Sequence, residues 1–104
     1  MRRSVLGLSG QDVTLPRRVA RALGLENDRG VGVVHVVDGG AAAAAGARPR
    51  DVIVSFGDHA VAGIDDLHRF LTDQVIGVPQ SMAVVRGVDV RRLVVVPREE
   101  TPGP

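Results

Sequence analysis

Three polar residues, Ser55, Asp58 and His59, stand close enough in the sequence to suggest a hydrolytic nucleophile with its base. A serine hydroxyl becomes nucleophilic when a histidine takes its proton and a carboxylate orients that histidine. Such an arrangement depends on the fold, and adjacency in sequence says little about it. The serines also lack a Gly-x-Ser-x-Gly elbow, the turn that presents a catalytic serine in one large hydrolase class. We therefore expect no catalytic residue in this chain.

Two further groups of side chains are candidate ligand sites, and both give weak signals. His35 and Asp38 lie three residues apart at the end of a predicted strand, where they face opposite sides, whereas a metal ion needs converging ligands. Arg17, Arg18 and Arg21 are suited to phosphate, but no aromatic side chain accompanies them to stack on bases. We expect no metal, no cofactor and no nucleic-acid partner.

The composition is that of one ordinary globular domain. The chain has 104 residues, 44% hydrophobic and 24% charged, which gives room for a single core. Its formal net charge of +1 creates no strong field for nucleic acid or an anionic membrane. Cysteine is absent, which excludes disulfides and thiolate chemistry. No apolar run approaches the ~20 residues that cross a bilayer, and no signal peptide is predicted at the N-terminus.

The hydrophobic pattern predicts strands and helices joined by short connections. The predicted helices cover residues 15–23, 41–45 and 64–74, and the predicted strands cover residues 5–8, 31–37, 51–56, 59–61, 82–85 and 90–96. The helix at 41–45 rests on five consecutive alanines followed by Gly46. These connections are too short for a doubly wound parallel sheet. The predicted fold class is therefore α+β, a small β-barrel or sandwich capped by two to three helices.

Four segments carry a recognisable family pattern. They are the apolar-Gly-apolar loop Leu6-Gly7-Leu8 with its flanks at 3–5, the helix at 15–25, the glycine–alanine helix at 39–46 followed by Asp51-Val52-Ile53, and the helix start at 61–67. In this order and spacing they resemble the PDZ domains of HtrA-type, trypsin-like bacterial serine proteases, over nearly the whole chain. The resemblance implies a PDZ domain at residues 1–98 with the circularly permuted HtrA-type strand order. Residues 1–4 would be a tether from an upstream domain and residues 99–104 a flexible tail.

Three positions depart from the family pattern. Gly40-Ala41 stands where the family usually has Ser-Pro, and Ala47 stands where it commonly has leucine. Arg50 occupies the place of the usual glycine before the strand at 51–56. If the glycine there serves a positive φ, Arg50 has to adopt it too, at a cost on the order of 1 kcal/mol.

The resemblance implies that the chain binds peptides by strand addition. An extended C-terminal peptide would pair with an edge strand at about residues 8–13, and the backbone N–H groups of Leu6, Gly7 and Leu8 would hold its terminal carboxylate. Glycine at the centre of that loop allows several donors to converge on one anion. Arg3 is positioned to add positive charge near the carboxylate.

The same resemblance implies an apolar groove that reads the last side chains of the ligand. The groove residues are Leu6, Leu8, Ser9, Gly10, Ile64, His68 and Leu71. Helical spacing puts Ile64, His68 and Leu71 on one stripe. Ile64 stands where domains that prefer Ser or Thr two residues from the ligand end carry a polar side chain, so we expect an apolar ligand residue instead. The expected partners are C-terminal peptides of other proteins or unfolded substrates, with a protease domain in cis.

A second interpretation stays open within the same class of interaction domains. The domain would then act as an internal regulatory or oligomerisation contact of a parent protease and bind little free peptide. PDZ domains of membrane metalloproteases and C-terminal processing proteases are a further family branch, although the helix at 15–25 favours the HtrA branch. An HtrA-type parent would be extracytoplasmic or membrane-tethered, and the catalytic domain would lie outside this chain.

Overall fold

The computed structural model describes residues 4–25 and 28–100, so Arg3 lies outside the described residues. The helices are α1 (Arg17–Ala22), α2 (Ala41–Ala45) and α3 (Ile64–Phe70), and a short 3₁₀ turn follows at Asp73–Val75. The strands are β1 (Ser4–Val5), β2 (Leu8–Thr14), β3 (Arg29–Val36), β4 (Val52–Phe56), β5 (His59–Ala60), β6 (Gln80–Arg86), β7 (Asp89–Val95) and β8 (Arg98–Glu99).

The strands form one large antiparallel sheet and one separate pair. The large sheet has the order β2-β3-β4-β6-β7, with β5 paired to β4. Strand β1 pairs with β8 outside this sheet. Together with three helices among the described residues, this architecture confirms the predicted α+β fold class. The sheet places β2 at one end of the strand order, which leaves one of its edges without a partner strand in the described part of the chain.

The core is built mainly from aliphatic side chains on one face of the sheet. Its largest fully buried members include Phe56, Ile53 and Met82. Helix α2 contributes Ala41 and Ala42, 4% and 0% exposed, because methyl groups allow its backbone to come close to the sheet. The five alanines begin after an extended Gly40 and end at Gly46 in the left-handed conformation, as predicted from sequence.

Helix α3 is held against the sheet by two side chains on its inner face. Leu67 is 4% exposed and belongs to the core, and the Phe70 ring stacks on the His59 ring of β5 with centroids 4.7 Å apart. The helix ends at Phe70, earlier than the predicted residue 74, because Leu71 leaves helical geometry and Thr72 is extended. Threonine and aspartate favour caps and turn starts over helix interiors, and the 3₁₀ turn begins directly after Thr72.

The segment predicted as a flexible tail starts inside a strand pair. Glu99 pairs with Ser4, and Arg98 pairs with Val5, in an antiparallel ladder. A backbone ladder does not depend on apolar side chains, so the polar composition of this segment concealed the pairing. The described chain ends at residue 100, and positions 101–104 lie outside it.

A buried carboxylate joins three parts of the chain. The side chain of Asp51 is 2% exposed and accepts hydrogen bonds from Arg86 Nε at 2.9 Å, from Arg86 Nη2 at 2.8 Å and from the Arg48 N–H at 2.9 Å. Arg86 Nη2 also donates to the Gly46 carbonyl at 2.9 Å. This bidentate pair therefore connects β6 to the connection between α2 and β4.

Arg50 has a φ of 77°, which confirms the positive φ predicted from its place in the family pattern. Its N–H donates to the Val33 carbonyl at 2.8 Å, so the strained conformation is fixed by a sheet contact. We expect Arg50→Gly to raise the free energy of unfolding by about 1 kcal/mol, since glycine adopts this conformation without a Cβ penalty. Urea denaturation measures the change. Arg48→Gly, two residues away at ordinary φ, is the matched control and should destabilise the domain; equal losses in both variants would contradict the strain argument.

Candidate functional site

The predicted site residues lie on two neighbouring elements, β2 and α3. Leu8 begins β2, Ile64 is the first residue of α3, and Leu71 directly follows its last turn. These three side chains are partly buried and pack against the same core cluster. His68 on α3 and Ser9 on β2 are exposed. The structure therefore brings Leu8, Ile64 and Leu71 to the same core cluster, and their place in a binding groove stays a prediction.

Leu6 differs from the other apolar residues of the predicted groove. It is only 4% exposed and belongs to the core. Its side chain is therefore part of the core, and the predicted carboxylate role of its N–H stays a prediction.

The loop before β2 directs two successive N–H groups away from the fold. The Leu6 carbonyl accepts the Ala42 N–H at 2.7 Å, and the Gly7 carbonyl accepts the Val37 N–H at 2.8 Å. In a trans peptide unit the carbonyl and the following N–H point in opposite directions. The N–H of Gly7 therefore points away from α2, and the N–H of Leu8 points away from β3.

Gly7 is required by the shape of this loop. Its φ is +74°, a conformation that residues with a side chain rarely adopt. A Cβ at this position would also lie 3.3 Å from the Gly40 Cα in the turn behind the loop. The glycine thus allows both the backbone direction and the close approach of that turn.

The next outward-facing backbone groups belong to Gly10. Its partner on β3, Val33, donates its N–H to the Asp51 carbonyl and accepts the Arg50 N–H, both at 2.8 Å. A residue in an antiparallel strand directs its N–H and carbonyl to the same side, so Val33 bonds towards β4. Gly10, opposite Val33, consequently directs both of its groups to the free edge of β2. Leu8 and Gly10 together give the two-residue period that an added strand pairs with.

Gly10 also has no room for a side chain. A Cβ there would lie 2.6 Å from Val31 Cγ1 and 3.0 Å from the Gly32 carbonyl oxygen. The register of β2 against β3 shifts between Ser9 and Gly10, where β3 has one extra residue. Glycine at position 10 therefore allows β2 and β3 to pair closely at the point where its backbone groups face the free edge of β2.

Asp12 is a structural residue between β2 and α3 that sequence reasoning missed. From β2 its Oδ1 accepts the N–H of Ile64 at 2.7 Å, which caps the start of α3 from 52 residues away. Gly63 permits this approach, since a Cβ on it would lie 2.8 Å from the same oxygen. The bond links β2 to the start of α3. Helix caps are read from neighbouring residues, so the sequence contained no signal for a cap on a distant strand.

Arg98 is a second residue that sequence reasoning missed. Its Nη1 donates to the Gly39 carbonyl in the turn between β3 and α2. The predicted carboxylate role of Arg3 falls outside the described residues, so Arg98 is the cation that the structure places beside this turn. Arg98 ends the predicted domain, one residue before the predicted tail, and nothing local indicated that this segment pairs with the N-terminal strand.

The three candidate catalytic residues are separated by the sheet. Ser55 and Asp58 line a shallow cavity on the outer face, whereas His59 stacks on Phe70 at the core side. Within residues 4–25 and 28–100, no three His, Asp or Glu side chains come together as metal ligands. No helix in this part of the chain has the length and apolarity needed to cross a membrane.

Comparison with known protein families gives a match: a sequence model described as PDZ domain matches residues 4–96 of the chain. A search of curated proteins found no match.

Several solved structures share the fold. An HtrA-type protease, AlgW, solved with a decapeptide, superposes with a TM-score of 0.76 at 24% identity, over 98% of this chain and 31% of that one. The HtrA3 PDZ domain bound to a phage-derived ligand (FGRWV) gives a TM-score of 0.72 at 19% identity, over 96% of this chain and 89% of that one. An aminopeptidase N family protein from Idiomarina loihiensis gives 0.72 at 17% identity, over 96% of this chain and 14% of that one. At these identities the likeness is one of fold, and the chain spans about a third of the AlgW chain.

Proposed function

The chain belongs to the PDZ domain family, a family of peptide-binding modules, and from this premise we propose that it binds the free C-terminus of a peptide by strand addition to β2. The observation that carries the proposal is the direction of the backbone groups. The N–H groups of Gly7 and Leu8 point outward at the start of a free strand edge, and Gly10 continues the series.

The loop would bind the carboxylate and β2 would bind the main chain. The negative charge makes the hydrogen bonds from the Gly7 and Leu8 N–H groups stronger than bonds to a neutral carbonyl. The groups of Leu8 and Gly10 at the free edge would then align the next ligand residues as an added strand. These contacts recognise an extended chain with a free end, whatever its side chains are.

Side-chain selection would come from the cleft between β2 and α3. Leu8, Ile64 and Leu71 are apolar and only partly covered, so an apolar last residue such as Val, Leu or Phe would complete their burial. Ordering a flexible peptide offsets part of the gain. We therefore expect a dissociation constant on the order of 1–100 µM, about 5.5–8 kcal/mol.

Two solved relatives support a peptide ligand. AlgW was solved with a decapeptide, and the HtrA3 PDZ domain was solved with a phage-derived ligand. We carry this over to the present chain as part of the proposal. We also propose that the domain serves an HtrA-type protease in cis, a proposal supported by the family pattern of the sequence and by the fold of AlgW.

Amidating the ligand tests the proposal. A labelled peptide with an apolar last residue is titrated against its C-terminal amide, with binding followed by fluorescence anisotropy. We expect the amide to bind at least tenfold more weakly, about 1.4 kcal/mol, because the loop donors lose their anion. Equal affinity of the two peptides would contradict carboxylate capture and would favour the internal-contact interpretation.

A further inference from the structure

Strand β7 forms the edge of the sheet that lies opposite β2. It stands at the other end of the strand order, and the described part of the chain places no further strand beside it. A free edge of seven residues carries unpaired N–H and carbonyl groups that can pair with another chain. Strand β7 is therefore a candidate interaction surface separate from the proposed groove.

The main chain of β7 directs alternate residues to this free edge. Val94 pairs with Ser81 of β6, and the Ser81 carbonyl accepts the Gly57 N–H at 2.7 Å, on the β4 side of β6. A residue in an antiparallel strand directs its N–H and carbonyl to the same side, so Ser81 bonds away from β7. Val94 consequently directs both of its groups away from β6. The register of β6 and β7 has no shift, so Arg92 and Val90 do the same.

The side chains of the same three residues lie on the outer face of the sheet. Leu93 packs against the core cluster and Val95 belongs to it, so the alternate residues of β7 face away from the core. Val90 is 37% exposed and Val94 is 66% exposed, and Arg92 stands exposed between them. The free edge thus presents two uncovered valines with one cation at the centre.

The charge of β7 indicates what kind of partner fits it. Arg91 and Arg92 are exposed, and neither forms an ion pair within residues 4–25 and 28–100. Residues 90–96 include no acidic side chain. A second copy of the chain paired along this edge would bring two arginines from each strand to one seam, and like charges opposite each other are destabilising. An acidic strand would meet the same seam with opposite charge.

We propose that the free edge of β7 is a second strand-addition site, which binds an extended internal segment of another protein with the pattern apolar-x-acidic-x-apolar. The outward groups of Val90, Arg92 and Val94 pair with its main chain. Its acidic side chain lies opposite Arg92, and its two apolar side chains cover Val90 and Val94. The pattern is symmetric about the acid, so it fits either strand direction. No free C-terminus is used, so the site is independent of carboxylate capture at β2.

The test uses two peptides that differ in one residue and have no free ends. Both follow the pattern Thr-Val-Thr-X-Thr-Val-Thr with an acetylated N-terminus and an amidated C-terminus, and X is Glu in one peptide and Lys in the other. Binding to the full chain is followed by NMR, because a single short strand should bind with a dissociation constant on the order of 1 mM. We expect the Glu peptide to bind about three- to tenfold more tightly than the Lys peptide, with a difference that shrinks as salt is raised.

The pattern of amide shifts identifies the edge. On addition of the Glu peptide to the wild-type domain, we expect the amide resonances of Val90, Arg92 and Val94 to shift most, because their N–H groups face the added strand. The amides of Arg91 and Leu93 face β6 and should shift much less. This alternation is specific to strand addition at β7, and it requires no substituted domain.

A charge reversal on β7 should reverse the preference between the two peptides. In Arg92→Glu we expect the Lys peptide to bind more tightly than the Glu peptide, since the new carboxylate attracts the former and repels the latter. Arg92 is exposed, so the change leaves the core untouched. Arg17→Glu, the same change at the exposed start of α1, is the control and should keep the wild-type preference. A folded Arg92→Glu domain that still prefers the Glu peptide would contradict the proposal.

Three results on the wild-type domain would overturn the proposal. One is equal affinity for the two peptides, and another is a set of shifts confined to Leu8 and Gly10 of β2. The third is a shift of the Val90, Arg92 and Val94 amides with protein concentration in the absence of peptide, which would identify a second copy as the partner. A domain that binds a free C-terminus but neither blocked peptide would refute this inference alone and leave the proposed function intact.

Discussion

Replacing Asp51 by alanine is expected to lower the free energy of unfolding by about 3 kcal/mol, a large fraction of the 5–15 kcal/mol that is typical of small domains. In the described part of the chain, the Arg86 guanidinium bonds to Asp51 and to the Gly46 carbonyl, and the substitution removes the first of these partners. It also leaves the Arg48 N–H without its acceptor. Because the Arg86 side chain is 25% exposed, water recovers part of the loss, which keeps the expected value at the low end for a broken buried pair. Urea denaturation measures it.

The Asp51 contribution is also expected to depend on pH. Burial by itself raises the pKa of Asp51, but the hydrogen bonds from Arg86 and the Arg48 N–H and the charges of both arginines outweigh it, so the net pKa lies below its ordinary value of 3.8. A carboxyl with a lowered folded pKa stabilises the fold fully above its unfolded pKa and loses that contribution as the pH falls through the folded pKa. The stability gap between wild type and Asp51→Asn should therefore stay constant above about pH 5 and narrow below about pH 4.

Asp38 supplies the control for both measurements, since it is an exposed aspartate in the turn between β3 and α2. Asp38→Ala should change the stability by no more than about 0.5 kcal/mol. If Asp51→Ala destabilised the domain no more than Asp38→Ala does, the buried pair would contribute little to the fold. A gap that widened on acidification would contradict the direction of the pKa shift.

Placing a negative charge in the proposed groove should nearly abolish peptide binding. Leu71→Glu would put a carboxylate in this groove, where it would disfavour an apolar ligand side chain and repel the terminal carboxylate. We expect an affinity at least about 100-fold weaker, roughly 2.7 kcal/mol, measured by titration of the free-acid peptide. Leu71 is partly buried against the core, so some loss of stability is expected as well.

Val94→Glu is the matched control for the same charge change. Val94 is 66% exposed on β7, which lies at the opposite end of the strand order from β2. Its peptide affinity should remain within about twofold of wild type. Leu71→Ala separates charge from shape, since it opens the pocket without adding a carboxylate and should bind with intermediate affinity. Full peptide affinity in a folded Leu71→Glu domain would remove Leu71 from the groove.

The sequence by itself determined the local conformational preferences of the backbone. Five alanines followed by glycine specify a short helix wherever they occur, and α2 occupies those five positions. The family pattern of a glycine before a strand predicted the positive φ at Arg50, because backbone conformation is a property of single residues. The loop around Gly7 and the groove residues of β2 and α3 were assigned from the family pattern, and their role in binding stays a prediction. Leu71, predicted on the helical stripe with Ile64 and His68, lies just beyond the end of α3.

Contacts between distant residues were decided only by the tertiary structure. Asp12 caps a helix 52 residues away, Arg86 pairs with Asp51 across 35 residues, and β8 returns to pair with β1. Each partner has an ordinary local role by itself, as a strand residue, a hairpin arginine or part of a polar tail. Which of them meet depends on the strand order and on the register shift between β2 and β3, and these follow from packing the whole core. The same packing decides that the N–H groups of Gly7 and Leu8 point outward, since their direction is set by the bonds that the neighbouring carbonyls make to α2 and β3.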